Sequence, residues 1–334
     1  MLVNRPLLSL FFAFIFSHIG AQDIHFTQFS YVPVAVNPAQ AGLFEGTYRV
    51  GGLYRSQWQL GTSVKGYQTP VVYADIPIAG LRKQDWIGLG INLFRDRSGV
   101  AAITNTNVGL AGSYHMGLDK KQSTVLSFGA QAGMTQRNID KSKLIFQDGI
   151  ISGQSKDLPQ IDDQNKSYID FNAGVNLRTS MSKTSIVNIG FSMEHTLTPK
   201  YNLNKATIAK LPRRFNLYGN MDIALNKKMN FYPALMIRSQ SKNIEVMAQA
   251  VAGLKIDEKK DITVKGGLGY RIGDAAQILG GIQYGDIRAG IAYDFTLSQL
   301  RTSNIQNGFE IAVGYIGKLF KSVKPSKVIL CPQY

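Results

Sequence analysis

Apolar and polar residues alternate along most of the chain in segments about ten residues long. Segment 86–94 places four aliphatic side chains on one face, and Gly88, Gly90 and Asn92 on the other. Segments 168–178, 214–225 and 287–297 repeat this pattern. Because side chains of a β-strand point alternately to opposite faces, the pattern predicts strands with one apolar and one polar face.

The length of these segments favours a transmembrane β-barrel. A tilted strand needs about 9–11 residues to cross a membrane, whereas strands of soluble proteins average about five or six. The polar faces carry Gly, Asn and Gln more often than Lys and Glu, which is typical of a packed lumen. A soluble sandwich with the apolar face inward is the alternative explanation of the same period.

About fourteen such segments follow Gly46, an even number that fits a bacterial single-chain barrel. They begin near Gly46, Val64, Trp86, Ala101, Ser123, Tyr168, Thr184, Arg214, Asn230, Asn243, Asp261, Ala275, Asp286 and Gly308. Numbered along the chain, the long connections are the fifth (about 137–167), the seventh (198–213) and the thirteenth (298–307). All three numbers are odd, so these connections lie at the same end of the barrel. Since such barrels have short periplasmic turns and long external loops, we predict an all-β transmembrane antiparallel β-barrel with periplasmic N- and C-termini.

The first residues predict export. Arg5 precedes an apolar stretch, 7–19, and the small residues Gly20 and Ala21 follow, as a signal peptidase site requires. We therefore expect a signal peptide at 1–21 and an outer-membrane location. The rest divides into a periplasmic N-terminal segment (22–45), the barrel (46–317) and a basic periplasmic C-terminal tail (318–334).

Composition and charge narrow the class of protein. The chain is 44% hydrophobic and 18% charged, which argues against disorder, and no second apolar run of about 20 residues predicts a membrane helix. The net charge of +15 often indicates nucleic acid as a partner. Export argues against nucleic acid, so anionic lipid, cell-wall polymer or an acidic protein are better candidates. Cys331, the single cysteine, cannot form an internal disulfide.

The polar faces give no sign of catalysis. Charged residues of both signs fall on the inward-facing positions of the strands, where we expect them to pair across the lumen; a selective ion path is the alternative. They are Arg49, Arg55, Arg178, Arg238, Lys265, Arg271, Arg288, Asp75, Asp170, Glu194, Asp222, Glu245, Asp294 and Glu310. Ser192 and His195 have opposite parity, so they form no nucleophile–base pair. We predict a non-enzyme without cofactor, metal or catalytic residues.

Several short motifs carry a resemblance to a known family. They are Gln22 to Phe29, Asn37-Pro38-Ala39-Gln40-Ala41-Gly42, Tyr54-Arg55-Ser56-Gln57-Trp58, Tyr73 to Pro77, and the end Cys331-Pro332-Gln333-Tyr334. Together they resemble the PorP/SprF family of outer-membrane proteins of the type IX secretion system. Gln333 stands where that family often has a basic residue.

The resemblance implies a fourteen-stranded barrel that works with the secretion machinery. It implies a role in secretion or surface attachment of specific cargo, such as gliding adhesins. The partners that it implies are the periplasmic ring lipoprotein, an OmpA-like peptidoglycan-binding protein and the secreted cargo, in an environment of outer-membrane lipid.

Both ends of the mature chain carry sequence that a barrel does not need, and we expect them to bind partners. The N-terminal residues are Phe26, Phe29, Tyr31, Asn37, Pro38 and Ala39, expected as an exposed aromatic surface; the C-terminal residues are Lys318, Lys321, Lys324, Lys327, Cys331, Pro332 and Tyr334. The alternative is that the N-terminal aromatics only plug the lumen, with 22–45 dipping into its periplasmic mouth, and that the tail is a solvated extension.

A transport barrel is the competing function, either a FadL-like hydrophobic-substrate channel or a passive porin. FadL-type channels also have fourteen strands and an early Asn-Pro-Ala. They need an N-terminal hatch of about 40 residues inside the lumen, and 22–45 looks too short for one.

Overall fold

The protein forms a closed β-barrel, as the alternation predicts. A computed structural model describes residues 24–57, 66–78, 84–99, 103–140, 165–201, 209–298 and 307–319. Fourteen antiparallel strands close into one barrel in this part of the chain. None of the helices among the described residues is long and apolar enough to cross a membrane.

Each barrel strand pairs with its neighbours in the sequence. The barrel strands are β1 (Tyr48–Gln57), β2 (Tyr67–Ile78), β3 (Trp86–Ser98), β4 (Ile103–Gly117), β5 (Thr124–Asn138), β6 (Asn165–Ser182), β7 (Ser185–Glu194), β10 (Arg214–Ala224), β11 (Met229–Gln240), β12 (Asn243–Asp257), β13 (Ile262–Arg271), β14 (Ala275–Tyr284), β15 (Ile287–Thr296) and β16 (Gly308–Gly317). The connection after β7 contains a separate small hairpin, β8 (Lys200–Tyr201) and β9 (Ala209–Lys210).

The first and last barrel strands close the sheet. β1 pairs with β16 over its full length, from Tyr48 opposite Gly317 to Gln57 opposite Gly308. Closure removes the row of unpaired backbone groups that an open sheet exposes at its edges. A strand can then lie in hydrocarbon with every backbone group paired.

The apolar faces point outward. Leu110, Ile169 and Leu268 are among the most exposed side chains, at 64–66%. The polar faces point inward, where Asn176 and Ser192 are fully buried. A soluble sandwich would bury the apolar faces instead, so this alternative is wrong.

The two ends of the barrel differ in their connections. The three longest, 139–164, 195–213 and 297–307, lie at one end, which we call the long-loop end. The opposite, short-turn end carries connections of two to seven residues, together with the start of β1 and the end of β16. The predicted strand count and the parity of the long connections are thus confirmed, and the direction in the membrane remains a prediction.

Epitope insertion measures that direction. We expect an epitope inserted near Gly153, in the long connection between β5 and β6, to bind antibody on whole cells. An epitope near Lys227, in the short turn after β10, is expected to bind only after the outer membrane is permeabilised. Antibody binding at Lys227 of intact cells, without binding at Gly153, would show that the barrel has the opposite orientation in the membrane.

Candidate functional site: a plug inside the barrel

Residues 24–45, which we call the plug, run through the lumen from one end to the other. The carbonyl of Ile24 accepts a hydrogen bond of 2.7 Å from Arg214, at the long-loop end. Gly42 donates one of 2.7 Å to Asp75, near the short-turn end. Between them, Val32 and Val34 are fully buried in the core inside the barrel.

The plug consists of three short helical turns. A 3-10 turn (Phe29–Tyr31) leads into one turn of α-helix, α1 (Pro33–Val36), and a second 3-10 turn (Pro38–Gln40) follows. Pro33 and Pro38 each open a turn, where the fixed φ of proline suits a helix and its missing N–H is not needed. These turns satisfy backbone groups within the plug itself, for example the N–H of Asn37, which donates to the carbonyl of Pro33 at 2.9 Å.

Asn37 anchors the middle of the plug to the wall. Its Oδ1 accepts from the backbone N–H of Ala39 at 2.9 Å, which caps the second 3-10 turn. Its Nδ2 donates to the carbonyl of Val175 at 3.0 Å and lies 3.1 Å from the hydroxyl of Tyr218. Asn37 is fully buried, and its amide oxygen and nitrogen both make their hydrogen bonds inside the protein.

A row of glycines on the wall follows the path of the plug, and we call it the glycine track. It comprises Gly88 of β3, Gly129 of β5, Gly174 of β6 and Gly290 of β15. A Cβ at each position would overlap a plug atom, in turn an atom of Ala41, Ala39, Asn37 and Gln28. The missing side chains let the plug lie directly against the strands.

Buried ions hold the plug at the long-loop end. The carboxylate of Glu310 accepts from the backbone N–H groups of Thr27 at 2.7 Å and Gln28 at 2.8 Å. The hydroxyl of Thr27 donates to Asp294 at 2.8 Å. Arg55 pairs with both Glu310 and Asp294, and all three side chains are at most 4% exposed. The predicted pairing of opposite lumen charges is found here.

His25 extends this ion cluster. Its Nε2 lies 3.0 Å from a guanidinium nitrogen of Arg55 and 2.9 Å from one of Arg271. Arginine can only donate, so the hydrogen-bond network assigns Nε2 as the acceptor and the ring proton to Nδ1. His25 is therefore neutral where it contacts these cations.

A second set of contacts fixes the plug at the short-turn end. Asp75 accepts from Arg49 at 2.8 Å as well as from Gly42, and Arg49 also donates to the carbonyl of Gln40 at 3.0 Å. The indole of Trp86 donates to the carbonyl of Gly42 at 3.0 Å. The plug is thus held by charge-assisted hydrogen bonds at both ends, which are stronger than neutral ones.

The N-terminal residues expected to form an exposed partner surface lie inside the barrel. Phe26, Phe29 and Tyr31 are only 4–8% exposed, and Asn37, Pro38 and Ala39 are buried. The expected exposure is wrong. The lumen takes up this apolar stretch, and partner binding by these residues remains untested.

The path of the plug also corrects two arguments about the N-terminus. Ile24 lies at the long-loop end, although both mature ends were expected at the other end. The even number of strands places the start of β1 at the short-turn end, but it says nothing about the residues before β1. The plug precedes β1 and crosses the lumen once more. In addition, 22–45 was judged too short for a hatch, yet residues 24–45 span the lumen because compact turns replace a larger domain.

The C-terminal candidates are only partly described. Lys318 is exposed and pairs with Asp286 at 3.1 Å, in the turn between β14 and β15. Lys321, Lys324, Lys327, Cys331, Pro332 and Tyr334, like the expected signal peptide, lie outside the described residues. The structure therefore brings together the N-terminal candidates inside the lumen, and of the C-terminal candidates it describes Lys318 alone.

Continued alternation from the inward Ser192 predicts an outward side chain for His195, but the structure places it against an inward residue. It follows β7 with a positive φ of 57°, which ends the strand alternation. Its Nδ1 contacts the inward carboxylate of Asp170 at 2.5 Å. Ser192 instead donates to the carbonyl of Val36 in the plug at 2.7 Å, so these two residues serve separate structural contacts.

Sequence reasoning missed the glycine track and the ion contacts to the plug. The available signal was inward parity of glycines within strands that otherwise carry Asn, Gln and charged residues. A glycine in a strand interior often marks close approach of another backbone. Its partner could not be named from spacing alone.

A family profile described as "Type IX secretion system membrane protein PorP/SprF" matches residues 19–315. None of the curated proteins compared with the chain matches it significantly.

Solved structures with the same fold are distant in sequence. The CymD monoaromatic hydrocarbon channel is 10% identical, with a TM-score of 0.50 over 86% of this chain and 93% of that one. The Ralstonia pickettii toluene transporter TbuX is 12% identical, with a TM-score of 0.49 over 86% and 94%. A Pseudomonas aeruginosa FadL homologue is 9% identical, with a TM-score of 0.48 over 84% and 92%. At 10% identity, the likeness to CymD shows the fold alone.

Proposed function

Because the chain belongs to the PorP/SprF family of type IX secretion system membrane proteins, we propose that it supports secretion or surface attachment of specific cargo. Gliding adhesins are the expected type of cargo. The family match carries this proposal, since it spans the plug and nearly the whole barrel. The periplasmic ring lipoprotein and the OmpA-like protein are the proposed partners in the machinery.

The plugged lumen supports a role as an interaction protein. The plug is bound to the wall at both ends and along the glycine track, so the barrel does not offer an obvious path for cargo. A fourteen-stranded barrel is also narrower than the 16–18-stranded porins that leave an aqueous channel. The long-loop end and the short-turn end of the barrel are then the surfaces that bind partners.

We assign different partners to these two ends. The outer-membrane barrel fold and the family support an outer-membrane location, reached through the proposed signal peptide at 1–21. The long-loop end would face outward, toward cargo. The short-turn end, with Lys318 and the basic tail 318–334, would face the periplasmic machinery, where positive charge speeds encounter with an acidic partner.

Deletion of 325–334 tests the tail. The shortened protein is expected to fold and insert normally, because β16 ends at Gly317. Cargo at the cell surface and co-purification with periplasmic partners should both fall severalfold, measured by surface labelling and by pull-down from native membranes.

A charge-matched control separates the tail from the rest of the short-turn end. The deletion removes one lysine, Lys327, so replacing Lys227 alone with Gln removes the same charge from the turn after β10 and is expected to leave secretion unchanged. Normal cargo display by the shortened protein would refute the assignment to residues 325–334 of the tail. Loss of secretion by both variants would assign it to charge at this end in general.

A further inference from the structure

The outward surface of β3, β4, β5 and β6 changes from apolar to polar near the long-loop end. The strands pair in register, so their outward side chains form rows that run across all four strands. The last apolar row consists of Leu93, Val108, Met134 and Ile169, each of which is 40–64% exposed. This row marks the edge of the surface that faces hydrocarbon.

Two polar rows follow the apolar row toward the long-loop end, and we call them together the polar patch. The first row consists of Arg95, Thr106, Gln136 and Ser167. The second row begins with Arg97, and one threonine and two asparagines occupy the facing positions of β4, β5 and β6. Neither row contains an aspartate or a glutamate. The polar patch therefore combines positive charge with hydroxyl and amide groups that donate and accept hydrogen bonds.

The polar patch belongs to one side of the barrel. On β13, β14 and β15 the outward row nearest the long-loop end consists of Tyr270, Ala276 and Phe295, which are apolar or aromatic. These three strands have 10 residues each, whereas β3 to β6 have 13–18. The additional length carries the polar patch beyond the apolar surface, to the level of the lipid head groups.

Both arginines of the polar patch are available to a ligand. Arg95 and Arg97 are exposed, and neither makes a hydrogen bond or an ion pair with the part of the chain that the structure describes. Asp96, between them, is buried and accepts a hydrogen bond from Thr69 at 2.7 Å on the inner face. Successive outward residues of a strand are about 7 Å apart, so both guanidinium groups can reach one anionic head group.

We propose that the polar patch binds the head group of a phosphorylated glycolipid in the outer leaflet of the membrane. Arg95 and Arg97 bind its phosphate groups, because a guanidinium group matches two phosphate oxygens at once. The hydroxyl and amide groups of the same rows bind the sugar hydroxyls, and the apolar row beneath them contacts the acyl chains. The order of these surfaces along the strands is thus the order of the parts of such a lipid.

A lipid fits this surface better than a protein partner does. Protein interfaces are usually anchored by aromatic or other large side chains in the middle of the contact, and the two polar rows contain no aromatic residue. The patch also begins directly at the apolar surface, where lipid surrounds the barrel. This inference goes beyond the proposed secretion role, and it rests only on the proposed orientation with the long-loop end outward.

A lipid-binding titration of the full-length protein in non-ionic detergent at low salt tests the patch. Fluorescent rough lipopolysaccharide is the probe, and its anisotropy measures binding. Unlabelled lipid A should compete strongly, whereas phosphatidylglycerol, which is anionic but carries no sugar, should compete far more weakly. Arg95→Gln and Arg97→Gln should each weaken binding about fivefold, the scale for one cation at an anionic lipid surface.

Two further variants separate the contributions of charge and of sugar recognition. Lys227→Gln with Lys228→Gln removes two exposed charges from the opposite end and should leave affinity unchanged. Thr106→Ala with Gln136→Ala should weaken binding of lipopolysaccharide and leave the competition by phosphatidylglycerol unchanged. Heat-modifiable migration on gels verifies that each variant is folded.

The possible failures are distinguishable. Wild-type affinity of both arginine variants would overturn the site, and equal competition by phosphatidylglycerol would overturn the choice of a glycolipid. Binding in detergent depends neither on secretion nor on the direction of the barrel in the membrane. The epitope insertions measure that direction separately, and a reversed barrel would overturn the assignment to the outer leaflet.

Discussion

Replacing Gly129 with alanine is expected to displace the plug from the barrel wall. A Cβ at this position would overlap the backbone of Pro38 and Ala39, which cannot rotate away as a side chain can. Overpacking typically costs about 1–3 kcal/mol and more where backbone must move. We expect the purified variant to show frequent, long-lived channel openings in planar bilayers, whereas the wild type remains closed.

Gly266→Ala is the matched control for this experiment. Gly266 also lies inside a barrel strand, β13, but a Cβ there would meet nothing within 4 Å. A cysteine at Ser30, introduced together with Cys331→Ser, gives a second measurement, since impermeant maleimide should label it faster in the Gly129→Ala background. Equal conductance and equal labelling in the two glycine variants would show that the plug does not depend on the glycine track. Large, steady openings of the wild type would favour the transport function instead.

Arg55→Met is expected to lower the free energy of unfolding by about 3–5 kcal/mol, because it leaves buried carboxylates short of positive charge. Arg55 is the ion-pair partner of Glu310 and shares Asp294 with Arg271. Glu310 in turn holds the backbone of Thr27, so the loss should also loosen the plug. Urea unfolding followed by tryptophan fluorescence and by heat-modifiable migration would measure the change.

Two comparisons identify the buried charge as the cause. Lys318→Met breaks an ion pair whose partners are 61% and 44% exposed, so its effect should stay within about 1 kcal/mol. Arg55→Met combined with Glu310→Leu removes one cation and one anion together and should recover part of the lost stability. If Arg55→Met is no more destabilising than Lys318→Met, the ion cluster does not hold this end of the plug.

The alternation of side chains determined the barrel without knowledge of the structure. Fourteen strands, their outward apolar faces and the side of the long loops all follow from local patterns, such as Leu89, Ile91 and Leu93 against Gly88, Gly90 and Asn92. A period of two is fixed by backbone geometry within each strand, so it can be counted in the sequence. Inward parity also marked Arg49, Arg55, Asp75 and Asp294 as lumen charges.

The position of residues 24–45 was decided only by the tertiary structure. Their aromatic and aliphatic side chains have no period that distinguishes an exposed docking surface from a buried plug. The lumen that buries them exists only after β1 pairs with β16, residues more than 250 positions apart. The glycine track likewise joins β3, β5, β6 and β15. Burial and charge balance inside a closed barrel depend on which strands face each other across the lumen. A local sequence pattern contains no information about which strands these are.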